Sequence, residues 1–482
     1  MKPVLLMRLL AVVTGVVSAT FFLFGLLDLL VFEQGIALDF LLPGVAVFLL
    51  FAWGLRGARG ALPSVVNRDA LLLVAGTWML FGLLSAIPFR LISGLGWADA
   101  VFEAVSGVTT TGATILVGLD SMPRALLMYR QFLQWTGGLG VIIFLVAIAP
   151  DLNVGGMRLF KLEVPGPMKE AKVVPRATNA ARYLWGVYVL LTLLCACSYY
   201  LAGMGVFDAL AYSFTTIATG GFAPHDASIG QFRSPAVEWV AIVFMAAGGI
   251  NFALHLGALN RRRMGAYWRD EETRRFLQIA GVGGLLAGLQ LWHAGLGDGV
   301  GGAWRLGMLH AVSFMTGTGY VSGDMAHFPL ALGFTMVILS YVGGCSGSTS
   351  GGMKVVRVVI AAKALAAEFR QILHPQAIIT TKYQRRTVPA DIFRSVFGFL
   401  FFYLVMSMLL IAVLVIDGVD PWTAFTAISA TINCTGPAFG EASSNFIPLS
   451  DLGISTLSFA MLLGRMELMT ILVLFTPAFW RA

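Results

Sequence analysis

The sequence predicts an all-α polytopic membrane protein, and three observations carry that prediction. Of its 482 residues, 58% are hydrophobic and only 12% are charged, and the mean hydropathy is +0.82. A soluble domain carries about 25% charged residues because its surface faces water. Apolar runs close to the roughly 20 residues that cross a bilayer recur along the whole chain. The third observation is a short pattern that occurs four times behind two leading apolar runs.

The apolar runs predict ten membrane spans. Two of them open the chain, Leu5–Val31 and Asp39–Leu55. The first exceeds the roughly 7–15 residues of a signal-peptide core, and no small-residue cleavage site follows it, so it is predicted to be retained. Eight more runs follow as four pairs: Ala70–Phe89 and Ala125–Ile148, Arg182–Gly203 and Ala236–Leu256, Phe276–Ala294 and Leu330–Ala366, Ile392–Ile416 and Leu452–Phe479.

Basic residues predict the orientation of these spans. Of the 32 Lys and Arg residues, 26 fall in one set of loops together with the two termini, including the stretches Arg158–Arg182, Arg261–Arg275 and Lys354–Arg394. Because basic loops stay on the cytoplasmic side, both termini are predicted to be cytoplasmic, in agreement with an even number of spans. The basic residues show no interleaving with aromatic ones, so a nucleic-acid partner is not expected.

Each of the four later pairs encloses a shorter apolar stretch, such as Ala98–Val108 or Ala209–Ile217, which fits a re-entrant segment. All four stretches run into a Thr-Gly pair: Thr111-Gly112, Thr219-Gly220, Thr318-Gly319 and Thr435-Gly436, spaced 108, 99 and 117 residues apart. The span behind each carries a landmark glycine: Gly137-Gly138, Gly248-Gly249, Gly343-Gly344 and Gly464. Two landmarks that recur in step indicate internal repeats. The predicted organisation is two N-terminal helices in 1–60 and repeats in 61–160, 161–265, 266–385 (with an interrupted last helix) and 386–482.

The repeated motif suits a narrow cation pathway. A cation leaves water only where oxygens replace its hydration shell, as rings of backbone carbonyls do in potassium filters. Glycine reaches the backbone conformations such a ring needs, and the helix before it directs its negative end at the ion. Asp420-Pro421 is a suitable start for the fourth of these helices. The predicted fold is therefore four membrane–pore-loop–membrane repeats around a pseudo-fourfold pore. The alternative is that the glycines only permit close helix packing.

The residues predicted to bind the ion flank the four Thr-Gly pairs. They are Thr110, Thr111, Gly112, Ala218, Thr219, Gly220, Gly317, Thr318, Gly319, Cys434, Thr435 and Gly436. Two further features lie apart from them. Gly343–Gly352 holds five glycines and three serines, and because each glycine costs a helix about 1 kcal/mol, the segment is either a flexible kink or a movable loop. Arg465 is an ionisable residue in mid-span, which marks a functional candidate; Glu467, two residues on, does not face it.

These motifs, with GGCSGSTSGGMK at Gly343–Lys354 and GRMELMTILVLFTPAFW at Gly464–Trp480, resemble the TrkH family of Trk-type potassium-uptake membrane subunits. That family belongs to the Trk/Ktr/HKT superfamily, and the two leading spans favour its Trk branch over the eight-span Ktr branch. The resemblance implies potassium uptake across the inner membrane, a homodimer with one pore per protomer, and gating by a cytosolic TrkA-type nucleotide-binding subunit. In the superfamily, serine in place of Gly112 accompanies sodium transport, so Gly112 indicates potassium.

The resemblance also favours a gate beneath the filter, since the matching glycine-rich segment obstructs the pore in that family. The predicted gate residues are Gly343, Gly344, Gly347, Ser348, Gly351, Gly352 and Arg465. By resemblance, Arg465 lies below the filter, where its charge would repel potassium and favour the closed state.

Three other function classes were weighed against the potassium pore. Coupled transporters typically carry inverted repeats, whereas these four share one polarity, although proton or sodium coupling stays open. A sodium-permeable relative is disfavoured by Gly112. An enzyme is not expected because the sequence offers no paired carboxylates, no nucleophile–base set and no metal cluster. No cofactor is predicted, and potassium, as the transported ion, is the only metal expected. The opening signal and any leak of sodium or rubidium stay open.

Overall fold

The computed structural model describes residues 3–57, 67–140, 177–261, 265–377, 379–466 and 468–481. Within these ranges the regular structure is helical apart from one small antiparallel hairpin, formed by β1 (Lys382–Tyr383) and β2 (Arg386–Thr387). The end of the predicted span Ala125–Ile148, most of the basic stretch that begins at Arg158, and Glu467 lie outside the described residues. So do the predicted repeat boundaries at 61 and at 160–161.

The helices follow the predicted order of long and short elements. In the first half of the chain they are α1 (Pro3–Leu27), α2 (Ala37–Gly57), α3 (Asn67–Ser93), α4 (Trp97–Val108), α5 (Arg124–Gly138), α6 (Ala177–Leu201), α7 (Val206–Ala218), α8 (Pro235–Gly249) and α9 (Phe252–Arg261). In the second half they are α10 (Gly265–Arg269), α11 (Glu271–His293), α12 (Gly299–Thr316), α13 (Leu330–Val342), α14 (Val355–Leu373), α15 (Ala390–Ile416), α16 (Pro421–Ile432), α17 (Asp451–Arg465), α18 (Leu468–Leu472) and α19 (Pro477–Arg481).

The two leading helices, α1 and α2, pack against each other and join the rest of the molecule through α3 and α5. The buried ring of Tyr129 on α5 holds this junction, because the rings of Phe24 and Phe40 lie with their centroids 5.4 and 5.3 Å away. The Tyr129 hydroxyl donates to the backbone oxygen of Ser85 on α3 at 2.9 Å. The leading pair is therefore fixed to the side of α5.

Four short helices, α4, α7, α12 and α16, pack in a closed circle. Each lies between the long helix before it and the helix after it in its own repeat. In addition, α7 packs against α5, α12 against α8, α16 against α13, and α4 against α17. Each short helix thus contacts the helix that follows the preceding short helix, and the contact between α4 and α17 closes the circle. The predicted N-cap at Asp420 is confirmed, since its carboxylate accepts from the backbone N–H groups of Trp422 and Thr423 at 3.1 and 3.0 Å.

The prediction of a continuous helix is wrong for two of the second spans, Ala236–Leu256 and Leu452–Phe479. Five described helices are long and apolar enough to cross a membrane: Leu6–Phe32, Ala37–Arg56, Arg68–Ser93, Ala181–Leu201 and Ala390–Ile416. In these two second spans the helix breaks beside the landmark glycine, and the break between α8 and α9 turns the chain by 96°. In Leu330–Ala366 one helix ends at Val342 and the next begins at Val355, on either side of the predicted interruption at Gly343–Gly352.

Landmark glycines at the ends of α5, α8 and α17 lie in close contact with the short helices. A β-carbon added at Gly137 would lie 1.8 Å from the backbone oxygen of Val108. One added at Gly464 would lie 1.9 Å from the backbone oxygen of Ile432, and one at Gly248 would lie 3.1 Å from that of Ile217. Glycine at these positions lets the second spans lie against the ends of the short helices, which supports the packing role of these residues.

Candidate ion-permeation site

Four loop segments follow the short helices, and we call them ring segments one to four: residues 110–112, 219–221, 317–319 and 434–436. Each begins with a residue in the left-handed region: Thr110 (φ 58°), Thr219 (φ 51°), Gly317 (φ 75°) and Cys434 (φ 51°). Each ends with a left-handed glycine: Gly112 (φ 84°), Gly221 (φ 81°), Gly319 (φ 75°) and Gly436 (φ 93°). The four segments therefore share one backbone conformation.

One hydrogen bond ties the middle of every ring segment to the helix before it. The N–H of the middle residue donates to the backbone oxygen five residues earlier: Thr111 to Ser106 (2.9 Å), Gly220 to Thr215 (2.8 Å), Thr318 to Ser313 (2.8 Å) and Thr435 to Ala430 (2.7 Å). Because both partners are close in sequence, each segment is positioned by its own short helix.

The second ring segment lies one residue later than its Thr-Gly pair indicates. Ala218, predicted as a filter residue, is the last residue of α7. Gly221 has the conformation of Gly112, and Gly220 has the hydrogen bond of Thr111. Sequence reasoning missed Gly221 because it aligned the Thr-Gly pairs. Aligning small polar residues six positions before the last glycine, such as Ser106 and Thr215, would have found it.

The ring closes through contacts between neighbouring segments. A β-carbon added at the last glycine of each would collide with a backbone oxygen of the next one: Gly112 with Gly220 (2.2 Å), Gly221 with Thr318 (1.7 Å), Gly319 with Thr435 (1.9 Å) and Gly436 with Thr111 (2.6 Å). Only hydrogen fits at these four positions. The ring brings backbone oxygens of four segments together at the negative ends of four short helices.

Side chains of three short helices bind the backbone of the extended segments that follow the ring. In each case the N–H of the third residue after the last glycine is bound: Ile115 by the Glu103 carboxylate (3.0 Å), Ser322 by His310 Nε2 (3.3 Å) and Phe439 by Thr426 Oγ1 (3.1 Å). The same position after ring segment two is Pro224, which has no N–H to donate.

Ring segment two is held instead by side chains of α5. Gln134 Nε2 donates to the backbone oxygen of Gly220 at 2.7 Å, and its Oε1 accepts from the N–H of Phe222 at 3.0 Å. Arg130 Nη1 donates to the backbone oxygen of Ala223 at 3.1 Å, and Arg130 forms a fully buried ion pair with Glu103 at 2.8 Å. Sequence reasoning did not single out these side chains. The pattern that could have indicated them is a pair of polar residues one helical turn apart in a largely apolar run.

The glycine-rich loop, Gly343–Gly352, lies directly against the ring. Thr349 Oγ1 donates to the backbone oxygens of Ile217 and Gly248, both at 3.1 Å, and accepts from Thr219 Oγ1 at 3.0 Å. A β-carbon added at Gly351 would lie 1.9 Å from the backbone oxygen of Asn433. Segments two and four therefore both contact the loop at the end where their short helices stop.

The remaining predicted gate residues lie along the same loop. Gly343, Gly347 and Gly352 have positive φ values of 75°, 70° and 75°. Ser348 Oγ donates to the backbone oxygen of Cys345 at 2.5 Å. A β-carbon added at Gly344 would lie 3.1 Å from the backbone oxygen of Gly249, so this part of the loop lies beside the end of α8.

Arg465, at the end of α17, joins the loop to α5. Its Nη1 donates to the backbone oxygen of Thr349 at 2.8 Å. Its Nη2 donates to the backbone oxygens of Gly137 and Gly138, both at 2.6 Å. The predicted proximity of Arg465 to the glycine-rich loop is therefore observed, and the guanidinium connects three parts of the chain.

At the start of α7, the opposite end of that helix from the glycine-rich loop, His225 joins two connecting segments. Its Nε2 lies 3.2 Å from Asp208, and its Nδ1 lies 2.5 Å from Asp120, which follows ring segment one. The hydrogen bond that the imidazole donates to the Asp208 carboxylate, supported by Asp120, raises the pKa of His225 from 6.5 to about 9. The imidazole is therefore protonated at neutral pH, and this surface holds a charged joint.

Comparison with known proteins identifies the family. Residues 63–482 match the family model described as TrkH, cation transport protein. The Trk system potassium uptake protein TrkH of Halomonas elongata is 41% identical over 92% of this chain and 96% of its own length. Its counterpart in Escherichia coli K12 is 40% identical over 91% of this chain and 90% of its own length. The crystal structure of the potassium transporter TrkH from Vibrio parahaemolyticus matches with a TM-score of 0.91 at 34% identity and covers all of both chains.

These relatives are named as transport proteins, so the prediction that the chain is not an enzyme is confirmed. The resemblance found in the motifs is confirmed as well. The closed ring, the glycine-rich loop against it and the match over 420 of the 482 residues lead to one conclusion. The chain belongs to the TrkH family of cation transport proteins.

Proposed function

We propose that this chain takes up potassium through a narrow pathway that runs through the four ring segments. The observation that carries the proposal is the closed contact of four segments with the same backbone conformation and the same hydrogen bond. Four chemically alike edges offer a dehydrated potassium ion oxygens on all sides. The names of the relatives, which are potassium uptake proteins, support potassium as the transported ion.

The proposed filter comprises the three residues of each ring segment. All predicted residues of segments one, three and four are kept, as are Thr219 and Gly220 of segment two. Gly221 is added to segment two, and Ala218 is removed because it is the last residue of α7. A left-handed residue lies on each side of the middle residue. This alternation of backbone conformations lets successive peptide oxygens point to the same side and line a passage. At the last position of each segment, contact with the next segment excludes any side chain larger than hydrogen.

We also propose that the glycine-rich loop is the gate and that Arg465 favours its closed position. The loop touches segments two and four from one side, so an ion leaving the ring on that side meets it first. A positive charge in a poorly hydrated passage raises the free energy of an approaching cation. Arg465 donates to Thr349 within the loop, so the same guanidinium supplies both the charge and the attachment.

The wider assembly follows from the same family. We propose the repeat boundaries given above, a pseudo-fourfold pore, a homodimer, an inner-membrane location with cytoplasmic termini, and a cytosolic nucleotide-binding TrkA-type subunit. The closed circle of short-helix contacts supports the four repeats. The relatives' description as members of a Trk system supports an assembly of several components.

Ion flux into liposomes that contain the purified chain tests the filter. We expect potassium and rubidium to enter faster than sodium. In Gly112→Ser, the β-carbon would lie 2.2 Å from the backbone oxygen of Gly220, so segment two must shift and the sodium-to-potassium flux ratio should rise. Gly186→Ser on α6 is the matched control, because a β-carbon there meets nothing within 4 Å. An unchanged ratio in a folded Gly112→Ser protein would refute the filter.

Deletion within Gly344–Gly351 tests the gate in the same liposomes. Shortening the loop removes the contacts of Thr349 and Gly351 with segments two and four, so flux should rise and should depend less on a cytosolic partner. The melting temperature in detergent establishes that the deletion variant is folded. A folded variant with wild-type or lower flux counts against the gate.

A further inference from the structure

Ring segment two differs from the other three in its middle residue. Segments one, three and four carry threonine there, at Thr111, Thr318 and Thr435, whereas segment two carries Gly220. In segment one the hydroxyl of Thr111 lies 2.8 Å from that of Thr109. In segment three the hydroxyl of Thr318 lies 2.7 Å from that of Thr316. In segment four the hydroxyl of Thr435 has no hydrogen-bond partner among the described residues. Segment two has no side chain at this position at all.

The amide of Gln134 occupies the space that a side chain at position 220 would fill. A β-carbon added at Gly220 would lie 2.5 Å from both Cδ and Oε1 of Gln134. The φ angle of Gly220 is not positive, so its backbone would accept a side chain if the space were free. What excludes a larger residue at this position is therefore Gln134 and not the conformation of the chain.

Gln134 is also bonded for the task of holding this segment. One amide group donates to the oxygen of Gly220 and accepts from the N–H of Phe222, at 2.7 and 3.0 Å, so it bridges the last glycine of the segment. The side chain is fully buried. The Gly220 oxygen is also the one that lies 2.2 Å from a β-carbon placed on Gly112, so it sits between segments one and two.

Counting three residues back from the landmark glycines, the other second spans carry Met245, Ser340 and Met461 where α5 carries Gln134. The one amide thus faces the one ring segment whose middle threonine is replaced by glycine. We propose that Gln134 is a positioning residue for ion selectivity: it replaces the missing threonine and fixes the Gly220 oxygen. This inference rests on the ring segments being the filter.

The first experiment compares two glutamines of α5 in liposomes that contain the full chain. Gln134→Leu keeps the volume but loses both hydrogen bonds, and a lost buried bond is equivalent to about a tenfold change in an equilibrium. We therefore expect the sodium-to-potassium flux ratio to rise about tenfold. Gln131→Leu is the control, because Gln131 is equally buried and its amide has no hydrogen-bond partner among the described residues. It should keep the wild-type ratio.

The second experiment enlarges the side chain at position 220 and shortens the one at position 134. Gly220→Thr alone brings a side chain against the Gln134 amide, so flux and selectivity should fall. Adding Gln134→Ala frees that space and recreates the Thr-Gly order of the other segments, so the double variant should regain potassium selectivity. This readout still decides the matter if Gln134→Leu does not fold. A double variant that is no better than Gly220→Thr alone overturns the proposal.

The Gly112→Ser variant separates this inference from the proposed filter. If Gly112→Ser alters the flux ratio and a folded Gln134→Leu does not, the filter stands and the role of Gln134 is refuted. If neither substitution alters the ratio, both proposals fail. If Gln134→Leu and Gly112→Ser both alter it while Gln131→Leu does not, the inference is supported.

Discussion

The ring segments and the glycine-rich loop are both buried, rich in glycine and in contact, yet they are held in different ways. Each ring segment is bonded through its backbone to the short helix five residues before it. The loop is held by groups that are distant in sequence: Thr349 reaches Ile217, and Arg465 reaches Thr349 across 116 residues. Contacts that are local in sequence form with their helix, whereas distant ones depend on how separate elements are placed.

The other end of the loop follows the same pattern. The N–H of Cys345 donates to the backbone oxygen of Gly249 at 2.8 Å, and the N–H of Ser346 donates to Glu272 on α11 at 2.6 Å. The comparison therefore teaches that each ring segment takes its backbone from its own short helix, with segment two held in addition by α5, while the loop depends on its neighbours throughout. In the proposed function, a filter that keeps its shape would lie beside a gate that can detach.

The largest effect is expected where the ring is tightest. In Gly221→Ala the new β-carbon would lie 1.7 Å from the Thr318 oxygen, at a φ of 81°. Left-handed strain and overpacking should together cost roughly 2–5 kcal/mol, so the melting temperature and potassium selectivity should both fall. Gly220→Ala meets only the Gln134 side chain and should be milder. The reverse order would show that the register of segment two is incorrect.

Next in size, Arg465→Ala should release the loop without harming the ring. It removes the charge and three hydrogen bonds to Thr349, Gly137 and Gly138. We expect flux per folded protein to rise about tenfold, which corresponds to a barrier lower by about 1.4 kcal/mol. Arg465→Lys keeps the charge and should stay close to wild type in flux. Lost flux with a lowered melting temperature in Arg465→Ala would make Arg465 a structural strut.

A smaller release is expected from Thr349→Val, which keeps the shape and removes the hydroxyl. The oxygens of Ile217 and Gly248 then lose a donor, which destabilises the closed loop by about 1 kcal/mol. Flux should rise less than in Arg465→Ala, and the sodium-to-potassium ratio should not change, because Thr219 keeps its hydroxyl bond to the Ala218 oxygen and the ring segments keep their backbone bonds. Thr335→Val on α13 serves as control, since that hydroxyl bonds within its own helix and to Gln290. A changed ratio in Thr349→Val would break the distinction between ring and loop.

The smallest effect concerns the charged joint at His225, which touches neither the ring nor the loop. Because its pKa is raised from 6.5 to about 9, its stabilisation is complete below about pH 6.5 and is lost as the pH rises through about 9. The melting temperature should therefore decline slightly between about pH 6.5 and pH 9 and level off above that, with the flux ratio unchanged. His225→Gln should remove this decline. An equal decline in both proteins would assign it to other groups.

Local sequence patterns were enough to predict the ring but not its exact register. Segments one, three and four fall on their Thr-Gly pairs because the threonine takes the middle position and the glycine supplies the left-handed backbone that follows it. Segment two fails this alignment because Thr219 takes the first position and Gly220 takes the place of a threonine. The positive φ of Gly221 and the hydrogen bond from Gly220 to Thr215 distinguish the two alignments, and both depend on where α7 ends.

Contacts between repeats could not be predicted from one sequence. Hydropathy made α8 and α9 one span, yet the chain turns by 96° between them. Gln134 and Arg130 were polar residues in an apolar run, and their partners, Gly220 and Ala223, lie 86 and 93 residues away. Periodicity reports which residues share a face of a helix, and it does not report what another repeat brings to that face.

The guanidinium of Arg465 has a consequence for the manner of opening. It donates hydrogen bonds to Thr349 in the loop and to Gly137 and Gly138 at the end of α5, so one guanidinium joins α17, α5 and the loop. When the guanidinium moves away, all of these hydrogen bonds are lost together, and an arrangement in which only some of them are broken is not stabilised. Currents through one molecule should therefore step between two levels, with no stable level in between.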